Sequence, residues 1–146
     1  LFSPLAALGN GDPFDLARAA YEEKNYAAAR AALEPLAEGG DARAQHLLGL
    51  MYEKGRGVGK DFVAAARWYT LAARRGYAPS EYRLAIAYLC GLGGLEKDTA
   101  RALDLLRRAA EGGYEKAQRV LAKLDAEGGV ARLQDGRVAM YCALIR

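Results

Sequence analysis

Few residues in this chain have the types and spacing that chemistry needs. Gly55 to Asp61 reads GRGVGKD, three glycines and a lysine in seven residues. Loops of that composition can cradle phosphate, because bare backbone N–H groups approach the anion and a lysine reaches it. His46 is the single histidine, and Cys90 and Cys142 are the two cysteines. A thiol and an imidazole together can make a nucleophile and its base. Glu22, Glu23 and Glu53 offer carboxylates for acid–base work.

The glycine stretch fails the phosphate test on its own spacing. A P-loop needs a glycine, four residues, then Gly-Lys-Ser/Thr. Counting back from Gly59-Lys60, the first glycine position holds Lys54, and the residue after Lys60 is Asp61. No hydroxyl is available there for magnesium, and no strand-like run precedes the loop. The spacing G-x-G-x-G also departs from the dinucleotide pattern G-x-G-x-x-G. A lone histidine excludes a multi-histidine metal site. No catalytic residue, metal or cofactor is therefore expected.

The elements around the stretch give it another job. The chain repeats itself. Tyr52 and Tyr88, Gly55 and Gly91, and Gly57 and Gly93 lie 36 apart. Asp61 and Asp98, Ala65 and Ala102, Ala72 and Ala109, and Gly76 and Gly113 lie 37 apart, one residue having entered the loop. Asn25, Asp61, Asp98 and Asp135 continue the period, and each can cap the N-terminus of a helix. Ala29, Ala65, Ala102 and Ala139 hold the same register. Ala44, Leu47, Leu48 and Met51/Tyr52 form one helical stripe, and Ala65, Trp68, Tyr69 and Ala72 form another. Glycines fall where helices should end, which makes GRGVGKD a joint between two helices. Pro13 and Pro79 suit first turns. Pro35 lies inside a helix and is expected to kink it or end it early.

Four helix pairs follow, near 13–38, 41–75, 78–112 and 115–146, in one domain spanning 1–146 with 1–12 as an N-terminal extension. The tail DGRVAMYCALIR reads as the second helix of a truncated last pair. One such unit cannot bury its apolar face alone, so the units must stack as a solenoid. His46, Cys90 and Cys142 then sit in three different units with no orienting third group. Tyr52, Trp68, Tyr69, Tyr77 and Tyr88 read as packing residues rather than a base-stacking surface.

Composition agrees with a folded helical protein. The 146 residues amount to one domain able to bury roughly two thirds of its unfolded surface. The net charge of +3, with acidic and basic residues interleaved, does not point to nucleic acid. No apolar run approaches the roughly 20 residues of a membrane span. Cys90 and Cys142 are expected as small buried hydrophobes, with one bridge between them as the alternative in an oxidising compartment. The opening LFSPLAALG reads either as the remnant of a signal region or as an apolar segment folded onto the first pair. Beginning at Leu1 rather than Met, the chain is expected to continue upstream. The compartment is open between periplasm and cytoplasm, with the periplasm favoured.

The unit Ala44, Leu48, Gly49, Tyr52, GRGVGKD, Ala65, Trp68, Tyr69, Ala72, Ala73, Gly76 resembles Sel1-like repeats, relatives of the tetratricopeptide family. The next unit keeps most of these residues. It has Ala85 for Gly49, and Leu105 and Leu106 for Trp68 and Tyr69. The first pair, with its tight EEKNY turn, is closer to a plain tetratricopeptide unit. The last pair departs most, with Asp125 where tyrosine is expected and the loop GGVARLQD.

The resemblance implies an all-α, right-handed α-solenoid of about four stacked helix–turn–helix repeats that recruits proteins and catalyses nothing. Family members include adaptors in bacterial signalling, envelope proteins, and proteins that silence secreted toxins. First helices would line the concave face. By register, the groove residues are Phe14, Arg18, Tyr21 and Glu22, then Arg43, His46, Leu50 and Glu53, then Tyr82, Ile86 and Leu89, and finally Lys116, Arg119 and Lys123. Leu50, Tyr82, Ile86 and Leu89 are expected to form an exposed apolar patch, and the basic end to attract an acidic segment. The implied function is a non-catalytic adaptor holding a peptide or protein. The alternative is an inhibitor that plugs a folded enzyme such as a secreted toxin. Self-association through the solenoid ends is a further expectation.

Overall fold

The computed structural model describes residues 11–126 together with Val138, Cys142 and Ala143. The described residues form seven helices and no strand: α1 (Pro13–Glu22), α2 (Tyr26–Glu38), α3 (Ala42–Lys54), α4 (Phe62–Arg74), α5 (Ala78–Cys90), α6 (Thr99–Glu111) and α7 (Glu115–Ala126). Val138, Cys142 and Ala143 are also helical. Each helix packs chiefly on its neighbours in sequence, which is the pattern of an α-solenoid.

Local chemistry explains the boundaries. Asn25, Asp61 and Asp98 each accept a backbone N–H from the first turn of the helix they precede. Asp135 lies outside the described residues. At the end of α3, Gly55 takes the left-handed conformation at φ 65°, and Gly91 repeats this after α5 at φ 63°. The Asp61 N–H then bonds the Tyr52 carbonyl at 2.9 Å, and the Asp98 N–H bonds that of Tyr88 at 3.0 Å. Both loops thus close onto the helix they leave. Gly57 allows close approach: a Cβ there would lie 2.6 Å from the Tyr26 Cβ. GRGVGKD is a joint in the fold.

Pro35 does not end its helix. α2 runs on to Glu38, with Pro35 on the exposed side, where a missing N–H costs least. Pro13 and Pro79 occupy first turns.

The interior is continuous across the units. Phe14, Ala17, Leu33, Leu47, Leu48 and Met51 form one cluster, and Trp68 of the following helix packs against it. Ala65, Tyr69, Leu84, Leu105 and Leu106 form the next, against which Val120, Leu121 and Leu124 of α7 pack. Fully buried leucines such as Leu33, Leu48 and Leu106 each contribute roughly 2 kcal/mol by burial. Polar tethers repeat along with the apolar contacts. The Gln45 amide donates to the Ala37 carbonyl and that of Gln118 to the Ala110 carbonyl, both at 3.0 Å. The equivalent third position holds Glu81, which is buried and pairs with Arg108 at 2.9 Å.

Cys90 and Cys142 are both buried, but they are not independent hydrophobes. They form a disulfide with 5.5 Å between Cα atoms. Long-range folding brings together two residues 52 apart in sequence.

Candidate functional site

The residues expected by register to line a groove fall into three groups. Phe14, Ile86 and Leu89 are interior, at 8, 6 and 4% exposure. Ile86 and Leu89 therefore do not form the exposed apolar patch expected from register. They pack with Cys90, Ala102, Val138 and Cys142 in a third cluster. Leu50 and Tyr82 are half-buried, and Leu50 packs against both larger clusters. Tyr82 lies against Tyr114 with ring centroids 5.3 Å apart.

A second group ties units together. Arg43 donates to Asp12 at 2.6 Å and to Asp41 at 2.8 Å, with its guanidinium 4.6 Å over the Phe14 ring. Both carboxyls are held below their usual range by that guanidinium. Tyr21 receives Arg56 on its hydroxyl at 2.7 Å. His46 is half-buried rather than exposed. Its Nδ1 meets Ser80 Oγ at 2.8 Å, and its ring sits between Tyr69 and Tyr77. Burial, with help from Arg83, lowers its pKa to about 4, so the ring is neutral at physiological pH.

Glu53 is the centre of the polar wall. It accepts the Tyr69 hydroxyl on one oxygen and Arg83 at 3.1 Å on the other. Burial and the carboxylate together raise the pKa of Tyr69, burial contributing most. Gly49 makes the arrangement possible: a Cβ there would meet the Tyr69 ring at 2.5 Å. Sequence reasoning missed Arg83. Its signal was an arginine at the register position of buried Leu47.

The third group is open. Arg18 pairs with both Asp15 and Glu22 on the surface. Lys116, Arg119 and Lys123 are exposed on one face of α7, and Arg119 pairs with Glu115 at 3.0 Å. Four of the register residues, Glu53, Tyr82, Ile86 and Lys116, line a single cleft of about 200 Å³, together with Arg83, Phe62, Ala66 and Gly93. It lies where the second and third units meet. Among the described residues no group of three or more His, Cys, Asp or Glu could hold a metal, and no helix is long and apolar enough to cross a membrane.

The family model for the Sel1 repeat matches residues 42–77 and 78–114. A solved Sel1 repeat protein from Oxalobacter formigenes is 36% identical, with a TM-score of 0.69 over 76% of this chain and 86% of its own. The c5321 protein, a protective antigen of uropathogenic Escherichia coli strains displaying an SLR fold, is 31% identical, with a TM-score of 0.63 over 72% of this chain. The match spans 23% of that longer protein.

Proposed function

The chain belongs to the Sel1 repeat family, and on that premise we propose that it is a non-catalytic adaptor that holds a peptide or protein loop in its concave face. Sel1 repeat proteins generally mediate protein–protein interaction, and their fold is typically a scaffold rather than a catalyst. The observation that carries the reading is the convergence of Glu53, Tyr82, Ile86 and Lys116 on one cleft. The cleft is of a size to take a side chain or two rather than a whole substrate. Its polar wall is already ordered by the Tyr69–Glu53–Arg83 bonds, so a partner need not fix those side chains on binding. Lys116 lines the cleft, and with Arg119 and Lys123, exposed on the same helix, it favours a partner with an apolar side chain followed by acidic ones.

Photo-crosslinking tests this in the full chain. A photoreactive residue at Tyr82 or Lys116 should yield discrete adducts, and one at Arg67, on the exposed side of α4, should not. Lys116→Glu with Lys123→Glu should weaken capture about tenfold and flatten its salt dependence. Adducts of equal yield from Arg67 would remove the concave face as the site.

A further inference from the structure

The two Sel1 units treat one buried acceptor differently. In the later unit, Arg108 on α6 reaches the buried Glu81 carboxylate on α5 at 2.9 Å. The register equivalents of Glu81 and Arg108 in the earlier unit are Gln45 and Leu71. The Gln45 amide nitrogen is bonded to the Ala37 carbonyl, which fixes the orientation of the amide. Its Oε1 is the one buried side-chain polar atom, among the described residues, without a hydrogen-bond partner. Gln45 is 4% exposed, and a buried acceptor with no donor is costly. Leu71 brings no donor where Arg108 brings one.

Gln45 and Leu71 line a groove of about 610 Å³ where the end of α2 meets α3 and α4. That volume lies in the range of small-ligand sites. Trp68, Arg74, Arg75 and Glu38 line it as well. Leu71 is an exposed large hydrophobic. Arg74 and Arg75 are exposed, and among the described residues they take part in no hydrogen bond or ion pair. Arg18, Arg30, Arg43, Arg83, Arg108 and Arg119, in contrast, each pair with a carboxylate. The unbonded side chains of Leu71 and Arg74 can shift to admit a donor to Gln45 Oε1.

The charges narrow the ligand. Two guanidiniums against the single carboxylate of Glu38 leave a surplus of one positive charge. That surplus suits a carboxylate better than a phosphate dianion, and it repels an ammonium or guanidinium donor. The donor for Gln45 is therefore a neutral N–H.

We propose that this groove is a second binding site, which takes the C-terminal residue of a peptide. Such a residue carries a neutral amide N–H and a carboxylate side by side. The N–H donates to Gln45 Oε1, the carboxylate lies against Arg74 and Arg75, and an apolar terminal side chain packs on Trp68 and Leu71. A free amino acid has an ammonium in place of the amide and does not fit. The groove shares no lining residue with the cleft of Glu53 and Lys116, so it stands apart from the concave-face reading.

Fluorescence anisotropy on the full chain tests this with the dye-labelled peptide Gly-Gly-Ala-Phe. The free acid should bind saturably, and the C-terminal amide at least about tenfold more weakly, because it loses the charge-assisted bonds. N-Acetylphenylalanine has the same amide and carboxylate without the preceding chain, and it should compete at least about tenfold more weakly than the unlabelled peptide. Leu71→Arg gives the earlier unit the side chain of the later one. It should abolish binding without lowering the urea midpoint, because the new guanidinium meets the buried acceptor. Arg74→Gln with Arg75→Gln should weaken binding at least about tenfold and leave circular dichroism helical. Arg67→Gln, on the same helix but outside the groove, should change nothing.

Equal affinity for acid and amide overturns the proposal, as does unchanged binding by Leu71→Arg or by the double arginine variant. So does a loss in Arg67→Gln that matches theirs, which would mean diffuse charge attraction. The absence of saturable binding below about 1 mM overturns it too. Acetylphenylalanine competing as well as the peptide would remove the peptide as the occupant.

Discussion

The units at 42–77 and 78–114 share a backbone and differ in what they do with it. Both close their first helix with a left-handed glycine and open their second with an aspartate. In the earlier unit, Gly49 leaves room for the Tyr69 ring, whose hydroxyl reaches Glu53. In the later one, Ala85 and Leu106 fill the same space with carbon and carry no hydroxyl. The face of the earlier unit carries Glu53, bonded to Arg83; that of the later unit carries Leu89, covered by Val138 and Cys142. Joints and caps fix the repeat, whereas register-equivalent positions such as Glu53 and Leu89 differ between polar and apolar. Neighbouring units can therefore offer different surfaces on one scaffold.

Removing the Cys90–Cys142 disulfide is the largest way to break the contrast. Cross-linking residues 52 apart stabilises by about 4 kcal/mol on the chain-entropy account. Cys142→Ser should lower the urea midpoint accordingly, and the wild type under reducing conditions should match it. A midpoint that ignores reductant would mean that the bond does not form in solution.

The joints should be equally sensitive in both units. Gly57→Ala puts a Cβ 2.6 Å from the Tyr26 Cβ, and Gly93→Ala puts one 2.6 Å from the Phe62 carbonyl oxygen, both at positive φ. Each should cost about 3 kcal/mol, from strain and overpacking together. Gly59→Ala meets nothing within 4 Å and should change stability by no more than about 0.5 kcal/mol. Thermal melts of the three variants would separate a joint from a phosphate cradle, which would make Gly59 as sensitive as its neighbours.

The exchange of Gly49/Tyr69 for Ala85/Leu106 can be made by hand. Gly49→Ala alone should cost about 2 kcal/mol, because the Tyr69 ring must move. Tyr69→Leu in the same chain should recover at least about 1 kcal/mol of that loss. Additive melts for the two changes would show that the pair is not coupled.

The junction between the units should respond to acid. His46 has a folded pKa of about 4 against 6.5 when unfolded, so folding favours the neutral ring. Its contribution is complete above pH 6.5 and is lost as pH falls through the window toward 4. Arg83 opposes the charge, and Tyr69, Tyr77 and Ser80 surround the ring. From pH 7 to pH 5 the loss should be roughly 2 kcal/mol. His46→Gln, which can keep the Ser80 bond, should flatten urea midpoints over that range.

The sequence by itself determined the helices, their stacking and the role of GRGVGKD. Those depend on local chemistry: 3.6-residue periodicity, an aspartate's reach to nearby N–H groups, and a glycine's access to positive φ. Four of the residues picked by register, Glu53, Tyr82, Ile86 and Lys116, line one cleft. Tertiary structure alone decided which of those positions stay open. Ile86 and Leu89 are buried in a cluster with Ala102, Val138 and Cys142, which come from farther along the chain. His46 is neutral because the rings of Tyr69 and Tyr77 and the hydroxyl of Ser80 enclose it. Arg83 joins the site because Glu53 lies across a unit boundary, 30 residues away in sequence. Burial and desolvation are sums over neighbours in space, and a repeat pattern specifies only the neighbours within its own period.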